Sequence, residues 1–553
     1  MQELKELTLK ALLDQSYKKF PNNNVMSFVE EKAITYSQFY NNVNRVSGFL
    51  NNLGIKAEDK VAILSANMPN WGIAYFGISM LGTTVVPILP DFSKKEIENI
   101  LEHSGAKIIF ISKDLYPKIT EINNKIKTSI LLDNFGIIPE NTQKDQLEQI
   151  ESSIPAKADF KYTHKIREND LATIIYTSGT TGKSKGVMLS HKNLASNVVD
   201  VQSIQDIVET DKFLSILPLS HTYENTLGFL LPILNGASIF YLRKPPTASV
   251  LLPALAKVKP SIILSVPMVI EKIYQKSVRP KFTGSPVMRT LYSFSPTRKL
   301  FHYLAGKKLK KTFGGNVKFF GVGGAKLDAV VERFLIEGKF PYAVGYGLTE
   351  TAPMLAGFNP QTFKYRSTGL TMHGVKLKLD NVDSKTGEGE ILAKGNNIMM
   401  GYYREAKLTK EVFTEDGWFK TGDLATFDKK GYLFIKGRSK SMIVGPSGEN
   451  IYPEDIESII NNFKDVVESL VIEKKGKIVA LVHLNYEDIE NRFNVLKEDA
   501  RQYFEEKKKE LLNELHLHIN AHVNKFSRIQ LVIEQTTPFE RTATKKIKRY
   551  LYA

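Results

Sequence analysis

The sequence predicts an α/β protein in two parts: a large N-terminal domain built of several α/β units, and a small α+β C-terminal domain. Three observations predict it. Short β-rich runs alternate with longer segments of helical spacing through the first two thirds of the chain. The 553 residues exceed the roughly 250–300 at which a single hydrophobic core stops growing. After about Lys436 the texture changes to a glycine-dense run, GRSKSMIVGPSGENIYPEDIE, and a fresh pattern opens at Ile451.

The elements follow in order. Tyr36–Leu53 and Lys94–His103 carry apolar residues at helical spacing. Lys60–Leu64 (KVAIL), Thr84–Ile88 (TVVPI), Lys107–Ile111 (KIIFI) and Leu171–Tyr176 (LATIIY) are short, apolar and β-branched, which suits strands covered on both faces. Trp71–Pro90 and Leu227–Tyr241 are the most apolar stretches. Both are broken by Gly, Pro or Asn and fall short of a span of about 20 apolar residues, so buried core elements are expected there. Pro453-Glu454-Asp455 suits a helix start, with proline in the first turn and acids at the positive end of the dipole. A long charged helix is expected from about Leu496 to Asn524. The domain boundary is placed at Gly437–Ser441, giving domains 1–437 and 438–553. The second, of about 115 residues, is large enough for its own core.

Composition narrows the class. With 42% hydrophobic and 24% charged residues the chain is ordinary globular protein, neither collagenous nor disordered. It has no cysteine, which removes disulfides, thiolate nucleophiles and Cys-ligated metals and fits a reducing compartment. The first twenty residues are charged and lack an apolar core of signal-peptide length, so no secretory signal is expected. The net charge is +16. From Arg438 onward basic and acidic residues nearly balance, so the excess lies upstream. Much of it falls in Lys272–Lys311, which holds eleven Lys/Arg and no acid, interleaved with Tyr274, Phe282, Tyr292, Phe294, Phe301 and Tyr303. Such a surface suits anionic lipid, or less readily nucleic acid; the plain alternative is a solvated face over core aromatics.

One stretch asks for a ligand. YTSGTTGKSKG, Tyr176 to Gly186, combines Gly179, Gly182 and Gly186 with the hydroxyls of Tyr176, Thr177, Ser178, Thr180 and Thr181 and with Lys183 and Lys185. Gly182-Lys183-Ser184 suggests a P-loop, but that pattern needs glycine at 177, where Thr177 stands. GVGGAK and GYGLTE fail the dinucleotide fingerprint. The physical content remains. Glycines let amides turn inward, hydroxyls donate to phosphate oxygens, and the lysines supply charge. The loop follows one expected strand and precedes another, GVMLS, which sets it at a strand end. A polar hairpin loop is the plain alternative.

YTSGTTGKSKG resembles the phosphate-loop signature of the AMP-forming adenylating enzymes, the superfamily of acyl-CoA synthetases, firefly luciferase and peptide-synthetase adenylation domains. GGAKL (Gly323–Leu327), GYGLTETAP (Gly345–Pro353), TGD (Thr421–Asp423), GRSKSMIVGPSGENIYPEDIE (Gly437–Glu457) and TATKKIKR (Thr542–Arg549) follow in the family's order and spacing. ITYSQFYNNVNRVSGFLNNLGIKAEDKVAIL reads like its opening, so the resemblance covers nearly the whole chain.

The resemblance implies a site. Gly323, Gly324 and Ala325 would lie against a purine, and Tyr346, between Gly345 and Gly347, would stack on its other face. Thr177 and Glu350 would hold Mg²⁺, for which a hard carboxylate is suited. Thr349 would contact the α-phosphate; Thr177, Ser178, Gly179, Thr180, Thr181, Gly182 and Lys183 would hold the leaving pyrophosphate. Asp423 and Arg438 would bind the ribose hydroxyls. Lys546 would carry the first step; the family's usual preceding glycine is Lys545 here, which leaves a one-residue ambiguity. Lys440 would be the hinge of a mobile C-terminal domain whose swing brings Gly445 and Gly448 to the pantetheine channel. Each residue alone has a plainer reading as turn-former, core aromatic or surface charge.

The implied chemistry is ATP-dependent activation of a carboxylate to an acyl-adenylate, then thioester formation with coenzyme A, releasing AMP and pyrophosphate. Without cysteines the thiol must come from outside. LPLSHTYEN (Leu217–Asn225) and SVPMVIEKIYQK (Ser265–Lys276) resemble the long-chain fatty acid–CoA ligase branch, although Met268 replaces that branch's usual Arg. His221 would lie near the carboxylate; a lone histidine is otherwise a structural donor. Alternatives are transfer to an acyl carrier protein, activation of another carboxylic acid, and a non-enzymatic lipid- or nucleic-acid-binding scaffold. A cytoplasmic location is expected, with peripheral contact to anionic membrane through Lys272–Lys311 and no nucleic-acid partner.

Overall fold

Two large sheets and a smaller antiparallel one carry most of the chain. The computed structural model describes residues 2–120, 126–157, 160–178, 184–445, 449–486, 489, 500–542 and 546–552. One sheet has eight strands. Its middle is parallel, with Thr84–Ile88 and Ile108–Ile111 on either side of Lys60–Leu64. Leu171–Ser178 joins beside Thr84–Ile88, and Ser184–Ser190 and Gly401–Tyr402 extend that edge antiparallel. The other sheet has nine strands, including Lys212–Ser215, Ser238–Tyr241, Ile262–Ser265, Phe319–Val322 and Tyr342–Gly347, all parallel. The α/β expectation holds.

The core joining the sheets is helical. Helix Tyr36–Asn52 starts at Thr35, whose hydroxyl takes the Gln38 amide while the Gln38 side chain takes the Thr35 amide. Pro69–Ser79 is apolar on all sides, as a helix buried all round must be. Residues Trp71 to Leu89 and Leu227 to Ala237 are buried, so both apolar stretches are core elements. Among the described residues no helix is long and apolar enough to cross a membrane.

A four-stranded antiparallel sheet, Val375–Asp380, Gly389–Gly395, Phe419–Phe427 and Leu433–Arg438, ends where the glycine-dense run begins. Beyond it, Val466–Lys474, Lys477–Leu484 and Leu531–Glu534 form a three-stranded sheet under helices Pro453–Asn461 and Ala500–His522. Leu511, Leu515 and Ile519, four apart on the long helix, face Ile456, Ile460, Val471 and Val482. Residues 496–499 of the expected long helix lie outside the described residues. In Lys272–Lys311, Tyr274 and Phe282 are buried, and Tyr292 and Phe301 stack on Phe282, so most of the interleaved aromatics are anchors. Phe294 and Tyr303 are exposed.

Candidate active site

Side chains from the strand ends of both large sheets, from the antiparallel sheet and from the turn at Lys546 interact with one another. Strand Phe319–Val322 ends at Gly323, whose amide donates to the Ser265 carbonyl at 3.1 Å. Gly324 turns with φ +86, which a side chain resists, and Ala325 is exposed beside it. A Cβ on Gly323 would come within 3.2 Å of the Tyr223 ring. The glycine thus lets the backbone lie close against the Tyr223 ring.

Strand Tyr342–Gly347 delivers Gly345, Tyr346 and Gly347. A side chain on Gly347 would strike the Pro353 carbonyl, so the strand can fold back tightly there. The Tyr346 hydroxyl donates to Asp423 Oδ2 at 2.7 Å, and Arg438 Nε donates to Asp423 Oδ1 at 2.8 Å. Asp423 is buried and Arg438 exposed. Burial raises the Asp423 carboxyl above the usual range, opposed by Arg438 and the Tyr346 hydroxyl.

Thr349 and Glu350 lie in the turn Thr349–Thr351. The side chains of Asn397 (2.8 and 2.9 Å) and Asn197 (3.3 and 3.0 Å) both donate to the carbonyls of Thr351 and Met354, pegging the turn from below. Tyr402 donates its hydroxyl to Glu350 Oε1 at 2.9 Å. Tyr402 belongs to a strand paired with Ser184–Ser190, and Lys185 stands 5.4 Å from its ring. Glu350 is thereby tied to the hairpin that carries Thr177, whose strand partner is Lys185. The strands flanking the loop reach Ser178 and Ser184. The Ser178 side chain and Gly179, Thr180, Thr181, Gly182, Lys183 and Gly448 lie outside the described residues.

His221 follows strand Lys212–Ser215 and accepts the Tyr223 amide on Nδ1 at 3.2 Å. A neutral ring then carries its proton on Nε2. Burial and the nearby Lys546 ammonium lower its pKa to about 4, which keeps it neutral. Lys546 sits in a turn closed by its amide on Thr542 Oγ1 and its carbonyl on the Thr542 amide. Although exposed, it feels the surrounding protein and Arg438, which lower its pKa, against Asp423, Glu454 and Glu350, which raise it. Lys440 is exposed in the turn Ser439–Ser441, and the Gly445 amide donates to the Glu449 carbonyl.

The structure therefore brings His221, Glu350, Asp423, Arg438 and Lys546 into one electrostatic neighbourhood; Gly323 and Tyr346 border it, whereas Lys440 and Gly445 lie in the segment that follows Arg438. Among the described residues Glu350 offers its carboxylate and Tyr402 a hydroxyl oxygen, and Thr177 stands on the adjoining hairpin. That chemistry fits a hard cation such as Mg²⁺, which takes one or two carboxylates and completes its shell with phosphate and water. Among the described residues no group of three or more His, Asp or Glu could cage a metal unaided. Tyr223, Tyr402, Asn197 and Asn397 were not singled out from sequence. The run Gly401-Tyr402-Tyr403-Arg404, polar and aromatic after an apolar segment, carries a signal; the two asparagines carry none.

Comparison with known proteins gives three findings. The sequence model of the AMP-binding enzyme family matches residues 13–403. Long-chain-fatty-acid–CoA ligase FadD15 of Mycobacterium bovis is 29% identical over 490 residues, covering 82% of this chain and 78% of its own; long chain acyl-CoA synthetase 4 of Arabidopsis thaliana is 29% identical over 500 residues, covering 82% and 74%. The solved o-succinylbenzoate CoA synthetase of Bacillus subtilis, in complex with its acyl-adenylate intermediate, superposes with a TM-score of 0.75 at 21% identity over 98% of each chain.

Proposed function

The chain belongs to the AMP-binding enzyme family, and from that premise we propose that it is an AMP-forming acid–thiol ligase that activates a medium- or long-chain fatty acid and joins it to coenzyme A. The observation that carries the reading is Lys546: a residue seven from the C-terminus lies within electrostatic reach of His221, Glu350 and Asp423.

In the first step a carboxylate oxygen attacks the α-phosphorus of ATP. The bond to pyrophosphate breaks, giving acyl-adenylate. The protein's part is positioning and charge neutralisation. Asp423 accepts the ribose hydroxyls, held by Tyr346 and Arg438. The backbone at Gly323–Ala325, beside Tyr223, seats the purine. Lys546 spans the carboxylate and α-phosphate, and Thr349 contacts the phosphate. His221, neutral with Nε2–H forward, donates to the carboxylate rather than competing with it for charge. Thr177 and the loop to Lys183 hold the leaving pyrophosphate. Magnesium held by Glu350 and Thr177 would offset phosphate charge.

In the second step a thiol attacks the acyl carbonyl, AMP leaves and the thiol proton passes to solvent. Residues 438–553 then act as a mobile domain turning about Lys440, withdrawing Lys546 and presenting Gly445 and Gly448 to the pantetheine arm. Carrier-protein pantetheine is chemically equivalent to that of coenzyme A, and the basic N-terminal domain would tolerate an acidic carrier. Peripheral contact with anionic membrane is a further part of the reading.

The test is fatty-acid-dependent exchange of pyrophosphate into ATP, followed by product analysis with coenzyme A and a carrier protein in competition. AMP and acyl-CoA are expected. Exchange that ignores fatty acids of C8 to C20 would overturn the substrate class, and acyl-carrier as main product would reassign the acceptor.

A further inference from the structure

Two helices in the most basic part of the chain pack on the core by their inner face and bury few residues outright. Helix Pro286–Ser293 has no buried residue, and Ser295–Thr312 buries only His302, Gly306 and Leu309. Val287, Leu291, Phe294, Leu300, Tyr303 and Leu304 are all exposed, from 39% at Leu291 to 69% at Val287. Six large apolar side chains bared within eighteen residues form a concentration that scattered surface residues do not produce. The spacing groups them: Val287 and Leu291 are four apart, as are Leu300 and Leu304, so each pair shares a helix face. Arg289, Lys299, Lys307, Lys308, Lys310 and Lys311 are exposed around them.

The pair is held rigidly. The Phe282 ring lies parallel to both Tyr292 (5.4 Å) and Phe301 (5.5 Å). The Tyr292 hydroxyl meets His302 Nε2 at 2.7 Å, His302 Nδ1 meets Glu337 at 2.6 Å, and Arg298 pairs with Glu337 at 2.9 Å. The aromatics thus brace the hairpin from inside, leaving its outer face apolar and ringed by cations.

We propose that this hairpin, Pro286–Thr312, is a wedge that inserts its apolar tip into the headgroup region of an anionic bilayer. Charge and shape select that occupant. Lipid phosphates match a hairpin with seven basic residues and no acid, and acyl chains accept the leucines, valine and phenylalanine between them. Nucleic acid would match the charge but leave the apolar tip in water. A second copy would bring two strongly basic faces together. The inference deepens the fatty-acid reading, since the insoluble substrate resides in bilayers, but binding is measured without catalysis.

The experiment is vesicle flotation with phosphatidylcholine alone and with about 30 mol% phosphatidylglycerol. Wild type is expected to partition at least about tenfold more strongly onto anionic vesicles, each basic residue being worth about a factor of five. Lys307→Gln/Lys308→Gln/Lys310→Gln/Lys311→Gln should lose more than about tenfold of that partition, and Leu300→Asp/Leu304→Asp about tenfold or more at unchanged salt. All three proteins should form octanoyl thioester from dissolved octanoate at equal rates, which shows that they are folded. No anionic preference in wild type, or binding untouched by the lysine changes, overturns the proposal. Binding that survives Leu300→Asp/Leu304→Asp means adsorption without insertion and overturns the wedge. Normal flotation without any ligase activity would instead refute the functional reading and leave the wedge standing.

Discussion

Replacing Lys546 by alanine should separate the two half reactions. The ammonium is solvent-exposed, opposed by Arg438 and attracted by Asp423, Glu454 and Glu350. Two unit charges at 4 Å interact by about 4 kcal/mol at an effective dielectric of 20. Exposure and the neighbouring guanidinium reduce that, so about 3 kcal/mol of transition-state stabilisation is a fair expectation, close to what loss of one positioned donor costs elsewhere. At about 1.4 kcal/mol per tenfold, Lys546→Ala should slow pyrophosphate exchange by roughly a hundredfold. Thioester formation from supplied acyl-adenylate should stay within about twofold, because the proposed second step proceeds with Lys546 withdrawn. Lys545→Ala is the control for the sequence ambiguity and should leave both steps near wild type. The pH profile adds a sign. Desolvation by the surrounding protein and the Arg438 charge lower the Lys546 pKa, so the charged form is lost as pH rises, earlier than for an ordinary lysine. The alkaline limb of the exchange reaction should therefore fall below pH 10.5, and Lys546→Ala should abolish that limb. Undiminished exchange in Lys546→Ala, or equal loss in both half reactions, would refute the assignment.

Three further predictions concern Tyr402, Tyr346 and Glu224. Tyr402→Phe removes the hydroxyl that orients Glu350 at 2.9 Å; the Mg²⁺ concentration for half-maximal exchange should rise about tenfold, as for other partners that orient a ligand, and an unchanged titration would count against the metal assignment. Tyr346→Phe removes the 2.7 Å donation to Asp423; KM for ATP should rise about fivefold with kcat nearly constant, whereas a fall in kcat alone would contradict a ribose-binding role. Glu224 is buried, its Oε1 accepting from Ser215 at 2.6 Å, and burial raises its pKa to about 8. The unfolded chain ionises near 4.5, so wild type loses stability as pH rises from there towards 8, by on the order of 1 kcal/mol per pH unit. Glu224→Gln should therefore gain stability over wild type in urea unfolding at pH 8 relative to pH 5; an equal difference at both pH values would show that the group ionises in place.

What the sequence made legible follows from where each signal resides. Lys60–Leu64 and Thr84–Ile88 were readable to the residue because a buried parallel strand is a short continuous apolar run. Leu171–Tyr176 runs on to Ser178 because Ser184–Ser190 supplies cross-strand hydrogen bonds there, a property of the partner and not of the run. Asp423 and Arg438 could each be noticed alone. That they face each other is fixed by the antiparallel register, in which the two are direct partners. Tyr402 and Glu350 meet across 52 residues through the pairing of Gly401–Tyr402 with Ser184–Ser190, and no local pattern encodes that. The apolar stretch beginning at Leu227 announced burial, but the wide turns of Glu224–Leu230, a π-helix that sets Tyr223 against Gly323, depend on packing between the sheets.

The contacts that hold Lys546 near His221, Glu350 and Asp423 are of a kind that can be released, and one of them can be weakened alone. The apolar clusters of the described residues lie wholly before Lys436 or wholly after Met442. Polar contacts join the two sides: Lys326 to Asp455 at 2.6 Å, Arg279 to the Asn462 carbonyl at 2.7 Å, Tyr452 to Glu388 at 2.5 Å, and Ser458 and Asn462 donating to Asp328 at 2.8 and 2.6 Å. Such pairs contribute about 0–1 kcal/mol each, so a second arrangement of similar quality is within reach. Asp328 serves two purposes with two oxygens. Oδ1 caps helix Ala329–Glu337 through the amides of Val330 and Val331, while Oδ2 receives the C-terminal donors. Asparagine caps a helix as well as aspartate does, but would turn an amide NH₂ towards Ser458 and Asn462. Asp328→Asn should thus keep thermal stability within about 1 °C and yet weaken docking by about 1 kcal/mol, the value of the hydrogen bonds lost. Pyrophosphate exchange should fall about fivefold, and thioester formation from supplied acyl-adenylate should hold or rise. A parallel loss in both half reactions would mean that the docked arrangement serves both, and the proposed swing about Lys440 would have to be abandoned.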